Sequence, residues 1–169
     1  MTISTMYIGM GCFWGVQKFV SQLDFVTHTK VGYMGGNAQN PTYTLVCTGS
    51  TGHAEVVKVD YQPGHDRELL QFFFENHDPT QENGQGADIG TQYRSLIFTT
   101  TDQQYQLATE MRNIAQNKLS DRGFGLIRTE IHPPLELTDF WPAEEYHQNY
   151  LAKNPGGYCP VHATGIQCG

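Results

Sequence analysis

Gly11-Cys12-Phe13-Trp14-Gly15 separates a strand-like segment over residues 2–10 from a run of apolar residues at helical spacing. The first amides of a helix that begins here point toward Cys12 and favour negative charge. They are therefore predicted to lower the pKa of the Cys12 thiol, which makes a cysteine nucleophilic near neutral pH. Phe13 and Trp14 place an apolar wall beside the sulfur. This stretch indicates a reactive cysteine at a strand-to-helix junction, and the competing interpretation is an inert cysteine buried among core aromatics.

On either side of that junction, the apolar residues alternate between strand spacing and helix spacing. Strands are predicted over residues 2–10, 25–33, 54–61 and 95–99, with an extended segment over 127–137. Helices are predicted after Cys12, from Tyr43 to Cys47, around Leu69 as far as Asn76, from a cap at Thr101 or Asp102 to Leu119, and from Pro142 to Tyr150. Residues 78–92 are rich in Pro, Gln, Gly and Asn and are predicted to be a long irregular loop. Because no regular βαβ rhythm appears, we expect an α+β fold, a two-layer sandwich with a central mixed β-sheet flanked by helices.

The length of 169 residues fits one domain with a sizeable core. We expect a single catalytic domain over residues 1–169. Its last part, residues 152–169, is predicted to be a long, coil-like and mobile tail, because helical periodicity ends after Leu151 and Asn154-Pro155-Gly156-Gly157 follows. No apolar heptad or helix stripe requires a partner subunit, so a monomer is expected.

Charge and hydropathy exclude several classes of protein. Seventeen acidic residues against ten Lys and Arg give a net charge of -7, which is opposite to the basic footprint of a nucleic-acid-binding protein. No apolar stretch approaches the roughly 20 residues that span a membrane. No Lys or Arg precedes Lys18, so the basic start of a signal peptide is missing. We therefore expect a cytoplasmic protein without nucleic-acid or membrane partners.

Four cysteines in a cytoplasmic chain favour reactivity or metal binding over a structural disulfide framework. Cys12 lies near the start, Cys47 is internal, and Cys159 and Cys168 share the last eleven residues. Cys47 lies in a predicted helical turn beside Val46 and is predicted to be a buried structural thiol. The pair near the end of the chain is the unusual feature of this distribution.

Two alternative functions use the same residues. A zinc-binding domain would take its ligands from the end of the chain, from Cys159, His162 and Cys168. Structural zinc sites normally close with four ligands, and no clear fourth ligand is present. A cysteine hydrolase or acyl transferase would pair Cys12 with His53 or His147 as its base, and it would have no use for the late thiols.

Several segments resemble one enzyme family in the same order. They are GCFWG at 11–15, VGYMGG at 31–36, PTYTLVCTG at 41–49, GHAEVV at 52–57, DIGTQYRS at 88–95 and YHQNYLAKNPGGYC at 146–159. Over nearly the whole chain these segments resemble the methionine sulfoxide reductases of the A type. The resemblance implies an oxidoreductase of protein repair under oxidative stress that reduces the S epimer of methionine sulfoxide, free or in proteins. It also implies electrons from thioredoxin, with no bound cofactor or metal.

The resemblance assigns the nucleophile and the acid that remove the oxygen from the sulfoxide. Cys12 matches the nucleophile, and Glu55 matches the acid that protonates the oxygen, because oxide cannot leave at neutral pH. Glu55 lies on a predicted strand with apolar neighbours, which would raise the pKa of its carboxyl group and keep it protonated.

The resemblance also implies a set of substrate contacts. Tyr43 and Tyr93 match two phenols that clamp the sulfoxide oxygen, and Asp88 matches a carboxylate that holds the substrate backbone. Phe13 and Trp14 would cradle the methyl group. Because oxygen and methyl are then held on different sides, only one sulfoxide epimer can present its sulfur to the cysteine.

Recycling of the enzyme is implied by the two late thiols. After the attack Cys12 is left as a sulfenic acid, with which a second thiol must condense. Cys159 matches the family's recycling position, and Cys168 resembles the second recycling cysteine of the three-cysteine members. The implied order is a Cys12–Cys159 disulfide, exchange to Cys159–Cys168, and reduction by thioredoxin. Gln17 departs from the Glu that the family often has in the first helix.

Overall fold

The architecture comes from a computed structural model that describes residues 2–158 and 163–168. The strands are β1 Ser4–Gly9, β2 Val26–Met34, β3 Ala54–Tyr61, β4 Gly84–Gln85, β5 Asp88–Ile89, β6 Leu96–Phe98, β7 Glu130–His132 and β8 Trp141–Pro142. The α-helices are α1 Phe13–Val20, α2 Tyr43–Cys47, α3 Asp66–Glu75, α4 Asp102–Asp121 and α5 Tyr150–Lys153. Single 3₁₀ turns form at Thr91–Tyr93, Pro134–Glu136 and Glu145–His147.

Six of the strands form one sheet in the order β7-β6-β1-β3-β2-β8. The β6–β7 pair is parallel and the other pairs are antiparallel, so the sheet is mixed. The predicted α+β fold, with a central mixed sheet flanked by helices, is confirmed. The strand β3 lies inside the sheet between β1 and β2, and the register places Glu55 opposite Tyr33.

Alternation along β3 divides the core between the two faces of the sheet. Val57, Val59 and Tyr61 belong to the main hydrophobic cluster, which also contains apolar residues of α1, α3 and α4. Ala54 and Val56 belong to a smaller cluster on the opposite face. Glu55 shares the face of Val57, so its carboxyl group points toward the layer that carries α1. The fold therefore places a carboxyl group at a position that an apolar side chain would normally occupy.

Two predictions about local structure are wrong. Pro142 does not begin a helix, because it pairs with Gly32 in β8, an edge strand where the missing N–H of proline is tolerated. The α-helix begins only at Tyr150, after Asn149, whose φ of 54° lies in the left-handed region. Cys47 is exposed rather than buried, because α2 is a five-residue helix in which Val46 is the buried residue.

The last described segment, residues 163–168, packs back onto the domain. Ile166 and Cys168 are buried members of the main hydrophobic cluster. The mobility of residues 152–169 as a tail stays a prediction. Among the described residues, no helix is both long and apolar enough to cross a membrane.

Candidate active site

Cys12 lies at the junction between β1 and α1, directly before the first residue of the helix. Gly11 approaches it with a φ of 95°, and a Cβ at Gly11 would come within 2.9 Å of the Gln85 side chain. The backbone amides of Trp14 and Gly15 donate toward the Cys12 sulfur. Taken alone, this contribution lowers the pKa of the thiol. The geometry of a helix N-terminus around the cysteine is therefore present.

The pKa of the Cys12 thiol is nevertheless raised to about 12. Burial is the largest cause, the Glu55 charge is the second, and the Asp88 charge adds to both. The predicted lowering of the pKa is wrong, because burial and two carboxyl groups outweigh the helix amides. In the substrate-free protein, Cys12 is therefore a protonated thiol at neutral pH.

Glu55 is the buried carboxyl group beside Cys12, and its side chain is 1% exposed. Its Oε1 accepts a hydrogen bond of 3.1 Å from the backbone amide of Phe13. Burial raises the pKa of Glu55 to about 8, the Asp88 charge adds to the shift, and the Phe13 bond opposes it. Because this pKa lies above 7, Glu55 carries a proton at neutral pH. The predicted rise in its pKa is confirmed.

The two predicted phenols lie close to the same carboxyl group. Tyr43 is the first residue of α2, whose cap Thr42 accepts a hydrogen bond from the Leu45 amide. Tyr93 ends the 3₁₀ turn that packs on β3. Burial raises the pKa of both phenols, and the Glu55 charge raises it further. Both therefore keep their protons and can donate hydrogen bonds. We call Glu55 and these two phenols the carboxyl side of the site.

Asp88 stands on a short hairpin, β4–β5, inside the segment predicted to be an irregular loop. It lines a groove together with Cys12 and apolar side chains of α1 and α3. The hydroxyl group of Tyr158 donates a hydrogen bond of 3.2 Å to its Oδ2. The end of the described chain before residue 159 therefore reaches the edge of the site.

An aromatic side, formed by Phe13, Trp14 and Tyr150, adjoins Cys12 in the sequence and in space. The Trp14 and Tyr150 rings are stacked with centroids 3.8 Å apart and an angle of 11° between their planes. The indole Nε1–H of Trp14 donates a hydrogen bond of 3.0 Å to Nδ1 of His147. Phe13 is buried and Trp14 is half-buried, and their role as an apolar wall for a substrate stays a prediction.

Two anchors of this arrangement, the half-buried Glu144 and the buried Gln17, escaped sequence analysis. Glu144 accepts hydrogen bonds from the hydroxyl of Tyr33 at 2.8 Å and from the backbone amide of Tyr43 at 2.9 Å. Gln17 accepts a bond of 2.8 Å from the amide of Asn149, which precedes the stacked Tyr150. Both contacts join residues more than a hundred positions apart, and no local sequence pattern predicts such a contact.

The two histidines of the hydrolase alternative are arranged differently from what a base for Cys12 needs. Both ring nitrogens of His53 are engaged, since Nδ1 accepts from the Gly36 amide at 3.0 Å and Nε2 donates to the Ala38 carbonyl at 2.7 Å. His147 is engaged with the Trp14 indole. Neither histidine is therefore available as a base for the Cys12 thiol.

The late cysteines are described only in part. Cys159 and His162 lie outside the described residues, so their predicted roles are not addressed by the structure. Cys168 is 4% exposed, and its backbone amide donates a bond of 2.6 Å to Glu75 of α3. In residues 2–158 and 163–168, no group of three His, Cys, Asp or Glu side chains is arranged to hold a metal ion.

Comparison with known proteins places this geometry in a family. Residues 4–167 match the family described as peptide methionine sulfoxide reductase. The chain belongs to the peptide methionine sulfoxide reductase family. It is 49% identical to the peptide methionine sulfoxide reductase MsrA of Corynebacterium kroppenstedtii, over 97% of this chain and 76% of that protein. It is 51% identical to the mitochondrial peptide methionine sulfoxide reductase of Homo sapiens, over 95% of this chain and 68% of that protein.

The fold of this reductase is likewise shared with a solved structure. Methionine sulfoxide reductase A of Corynebacterium diphtheriae superposes with a TM-score of 0.87 at 46% identity, covering 99% of this chain and 82% of that one. The predicted enzyme class, peptide-methionine (S)-S-oxide reductase, is confirmed.

Proposed function

We propose that this reductase converts methionine S-sulfoxide, free or in proteins, to methionine by transferring the sulfoxide oxygen to Cys12. The observation that carries the proposal is the neutral carboxyl group of Glu55, buried beside the Cys12 thiol and within the electrostatic reach of two phenols. A proton donor and two hydrogen-bond donors next to a sulfur nucleophile are what reduction of a sulfoxide requires.

The transfer begins with attack of the Cys12 sulfur on the sulfoxide sulfur. Glu55 gives its proton to the sulfoxide oxygen, and the resulting hydroxyl passes from the substrate sulfur to the Cys12 sulfur. The S–O bond of the substrate and the S–S bond formed by the attack both break, so methionine leaves with its sulfur reduced by two electrons. Cys12 keeps the oxygen as a sulfenic acid and is oxidised by two electrons. The thiol proton of Cys12 restores the acid form of Glu55, so protons and electrons balance. Tyr43 and Tyr93 donate hydrogen bonds to the oxygen as its negative charge grows.

Selection of the S epimer follows from the two sides of the site. The carboxyl side takes the polar oxygen, and Phe13 and Trp14 take the methyl group against their apolar rings. Asp88 accepts hydrogen bonds from the substrate backbone in the place that the Tyr158 hydroxyl takes in the free protein. With oxygen and methyl fixed, the R epimer directs its sulfur away from Cys12.

Recycling uses the late thiols and thioredoxin, with no bound cofactor. Cys159 directly follows Tyr158, whose hydroxyl is hydrogen-bonded to Asp88 beside Cys12, which supports a Cys12–Cys159 disulfide. Exchange then gives Cys159–Cys168, which thioredoxin reduces. Cys168 must first leave its buried place beside Glu75. We assign this monomeric reductase to protein repair in the cytoplasm.

The test is an assay of both sulfoxide epimers, first with dithiothreitol and then with thioredoxin. We expect methionine from the S epimer alone and with both reductants. Equal turnover of the R epimer would overturn the substrate assignment. Turnover with dithiothreitol but none with thioredoxin would overturn the role of thioredoxin.

The relay has a separate test in Cys168→Ser. One turnover should proceed at the normal rate, since Cys12 and Cys159 remain, whereas continuous turnover with thioredoxin should fall sharply. Undiminished turnover with thioredoxin would show that Cys168 takes no part.

A further inference from the structure

Gln85 is a buried amide side chain in the hairpin β4–β5, and it is 1% exposed. It lines the same groove as Cys12 and Asp88. In the register of the hairpin, Gln85 stands opposite Asp88. A buried amide destabilises a fold unless its donor and its acceptor are both hydrogen-bonded. The contacts of Gln85 therefore decide what this side chain contributes at the site.

Two hydrogen bonds join the Gln85 amide to the backbone of Asp78. Its Oε1 accepts from the Asp78 amide at 2.9 Å, and its Nε2 donates to the Asp78 carbonyl. Because both bonds go to one residue, they fix the direction of the side chain as well as its distance. The hairpin is therefore attached to the segment that directly follows α3.

That segment is itself held in the core by the buried His77. Burial lowers the pKa of His77 to about 4, so its ring is neutral at pH 7. Its Nδ1 donates to the Phe73 carbonyl at 2.6 Å, and its Nε2 accepts from the Ser95 hydroxyl at 2.7 Å. Through Asp78, Gln85 therefore ties the hairpin to a fixed point at the end of α3.

The aliphatic stem of Gln85 packs on the residue that precedes Cys12. A Cβ added at Gly11 would come within 2.9 Å of both Cβ and Cγ of Gln85. An apolar side chain could make this packing contact, but it could not make the two bonds to Asp78. The advantage of glutamine at this position is therefore the attachment of the hairpin.

We propose that Gln85 is a positioning residue, which fixes Asp88 relative to Cys12 and so sets where the backbone of a bound peptide lies while its sulfoxide meets the sulfur. The inference rests on the proposed function of Asp88. Without the two bonds, the hairpin can shift away from α3 while Cys12 stays at the start of α1. A shifted carboxylate holds the substrate backbone poorly, and small misplacements slow such reactions strongly.

The test compares two substrates with the same sulfoxide side chain. N-acetylmethionine S-sulfoxide N-methylamide has backbone amides for Asp88 to bind, whereas ethyl methyl S-sulfoxide has none. Gln85→Met keeps a similar volume and loses both bonds to Asp78. With dithiothreitol as reductant, we expect its kcat/KM to fall about tenfold for the amide substrate, mainly through KM, and to stay within about twofold for ethyl methyl sulfoxide. Equal losses on the two substrates would place the defect at Cys12 and overturn the inference.

Gln81→Met is the matched control. Gln81 makes the same pair of bonds to a backbone residue, because its Oε1 accepts from the Gly86 amide at 2.7 Å and its Nε2 donates to the Gly86 carbonyl at 3.1 Å. These bonds stay within residues 81–86 and do not reach Asp78. This variant should keep kcat/KM within about twofold for both substrates. A loss equal to that of Gln85→Met would show that general cohesion of the loop matters, rather than the attachment to Asp78.

A second variant keeps the inference testable if Gln85→Met does not fold. Gln85→Asn keeps the amide but is one methylene shorter, so it no longer spans the distance to the Asp78 backbone. It should show the same selective loss on the amide substrate. A folded Gln85→Asn that treats both substrates as the original protein does would contradict the proposal.

Asp88→Asn separates this inference from the proposed function. It should also lose kcat/KM selectively on the amide substrate, and Gln85→Met should cause no further loss on that background. A further loss would show that Gln85 acts by another route. If Asp88→Asn causes no selective loss, the proposed role of Asp88 fails and this inference fails with it. A selective loss in Asp88→Asn but not in Gln85→Met defeats only the inference about Gln85.

Discussion

The carboxyl side and the aromatic side of Cys12 are built by different physical means. On the carboxyl side, burial and neighbouring charges raise the pKa of Glu55 to about 8 and raise the pKa of Tyr43 and Tyr93. On the aromatic side, a stacked pair of rings and one indole hydrogen bond hold Trp14. The carboxyl side therefore controls which groups carry a proton, and the aromatic side controls the shape of the site.

This difference also follows how each side is attached to the fold. Glu55 stands on a central strand, where the register with β2 leaves its side chain one direction. The ring partners of Trp14 are His147, which ends a 3₁₀ turn, and Tyr150, which begins a four-residue helix. We infer that a chemical change on the carboxyl side alters the rate of oxygen transfer, whereas a change beneath the aromatic side alters alignment and stability.

Cys12→Ser has the largest expected effect, because it removes the sulfur atom that is the proposed nucleophile. The variant should form no methionine from the S-sulfoxide with dithiothreitol. A thiol takes up the sulfoxide oxygen and becomes a sulfenic acid, whereas a serine hydroxyl group cannot. Methionine release measured by chromatography checks this. The matched control is Cys47→Ser at the exposed thiol, which should keep its activity. Activity in Cys12→Ser would end the assignment of the nucleophile.

Glu55→Gln tests the carboxyl side alone. Glutamine fills the same space but supplies no acidic proton, so the single-turnover rate constant should fall by about 100-fold or more. The preference for the S epimer should remain, because the aromatic side is intact. Quenched-flow measurement of methionine formation gives both results. An unchanged rate constant would remove Glu55 as the acid.

Gln17→Met tests the foundation of the aromatic side and should have the smallest effect on chemistry. The buried Gln17 amide donates to Thr29 at 3.2 Å and accepts from the Asn149 amide at 2.8 Å. Methionine has a similar volume but leaves the backbone amide of Asn149 without its side-chain acceptor. This loss should lower the free energy of unfolding by about 1–3 kcal/mol. Urea denaturation measures the change.

The matched control for this prediction is Gln17→Glu. A carboxylate still accepts from Asn149, so this variant should lose less stability than Gln17→Met. Equal losses in the two variants would show that the side-chain volume of residue 17, rather than its hydrogen bond, supports the aromatic side.

The carboxyl side was predictable from the sequence because Tyr43, Glu55 and Tyr93 lie in segments that resemble the family's motifs. The apolar neighbours of Glu55 predict burial, and burial accounts for most of the rise in its pKa. For Cys12, the position at the junction of strand and helix was predictable, whereas the predicted direction of its pKa shift is wrong. Sequence patterns reveal the helix amides near a thiol, but they do not reveal how deeply the folded chain buries it.

The supports of the site were not predictable in the same way. Glu144 and His147 fall within the helix predicted from Pro142 to Tyr150. The backbone there instead enters β8 and a 3₁₀ turn, because Pro142 pairs at the edge of the sheet. Contacts such as Glu144 with Tyr43 depend on which distant strands become neighbours, and a single sequence does not encode this in any local pattern.

The pH dependence of the single-turnover rate constant tests the central claim most directly. Only the protonated form of Glu55 can donate to the sulfoxide oxygen, so the rate constant for the S epimer should fall as the pH rises through about 8. Glu55→Gln should be slower throughout and should lack this decline. A rate constant for the unchanged protein that rises steadily through this range, as formation of the Cys12 thiolate alone would dictate, would contradict the account.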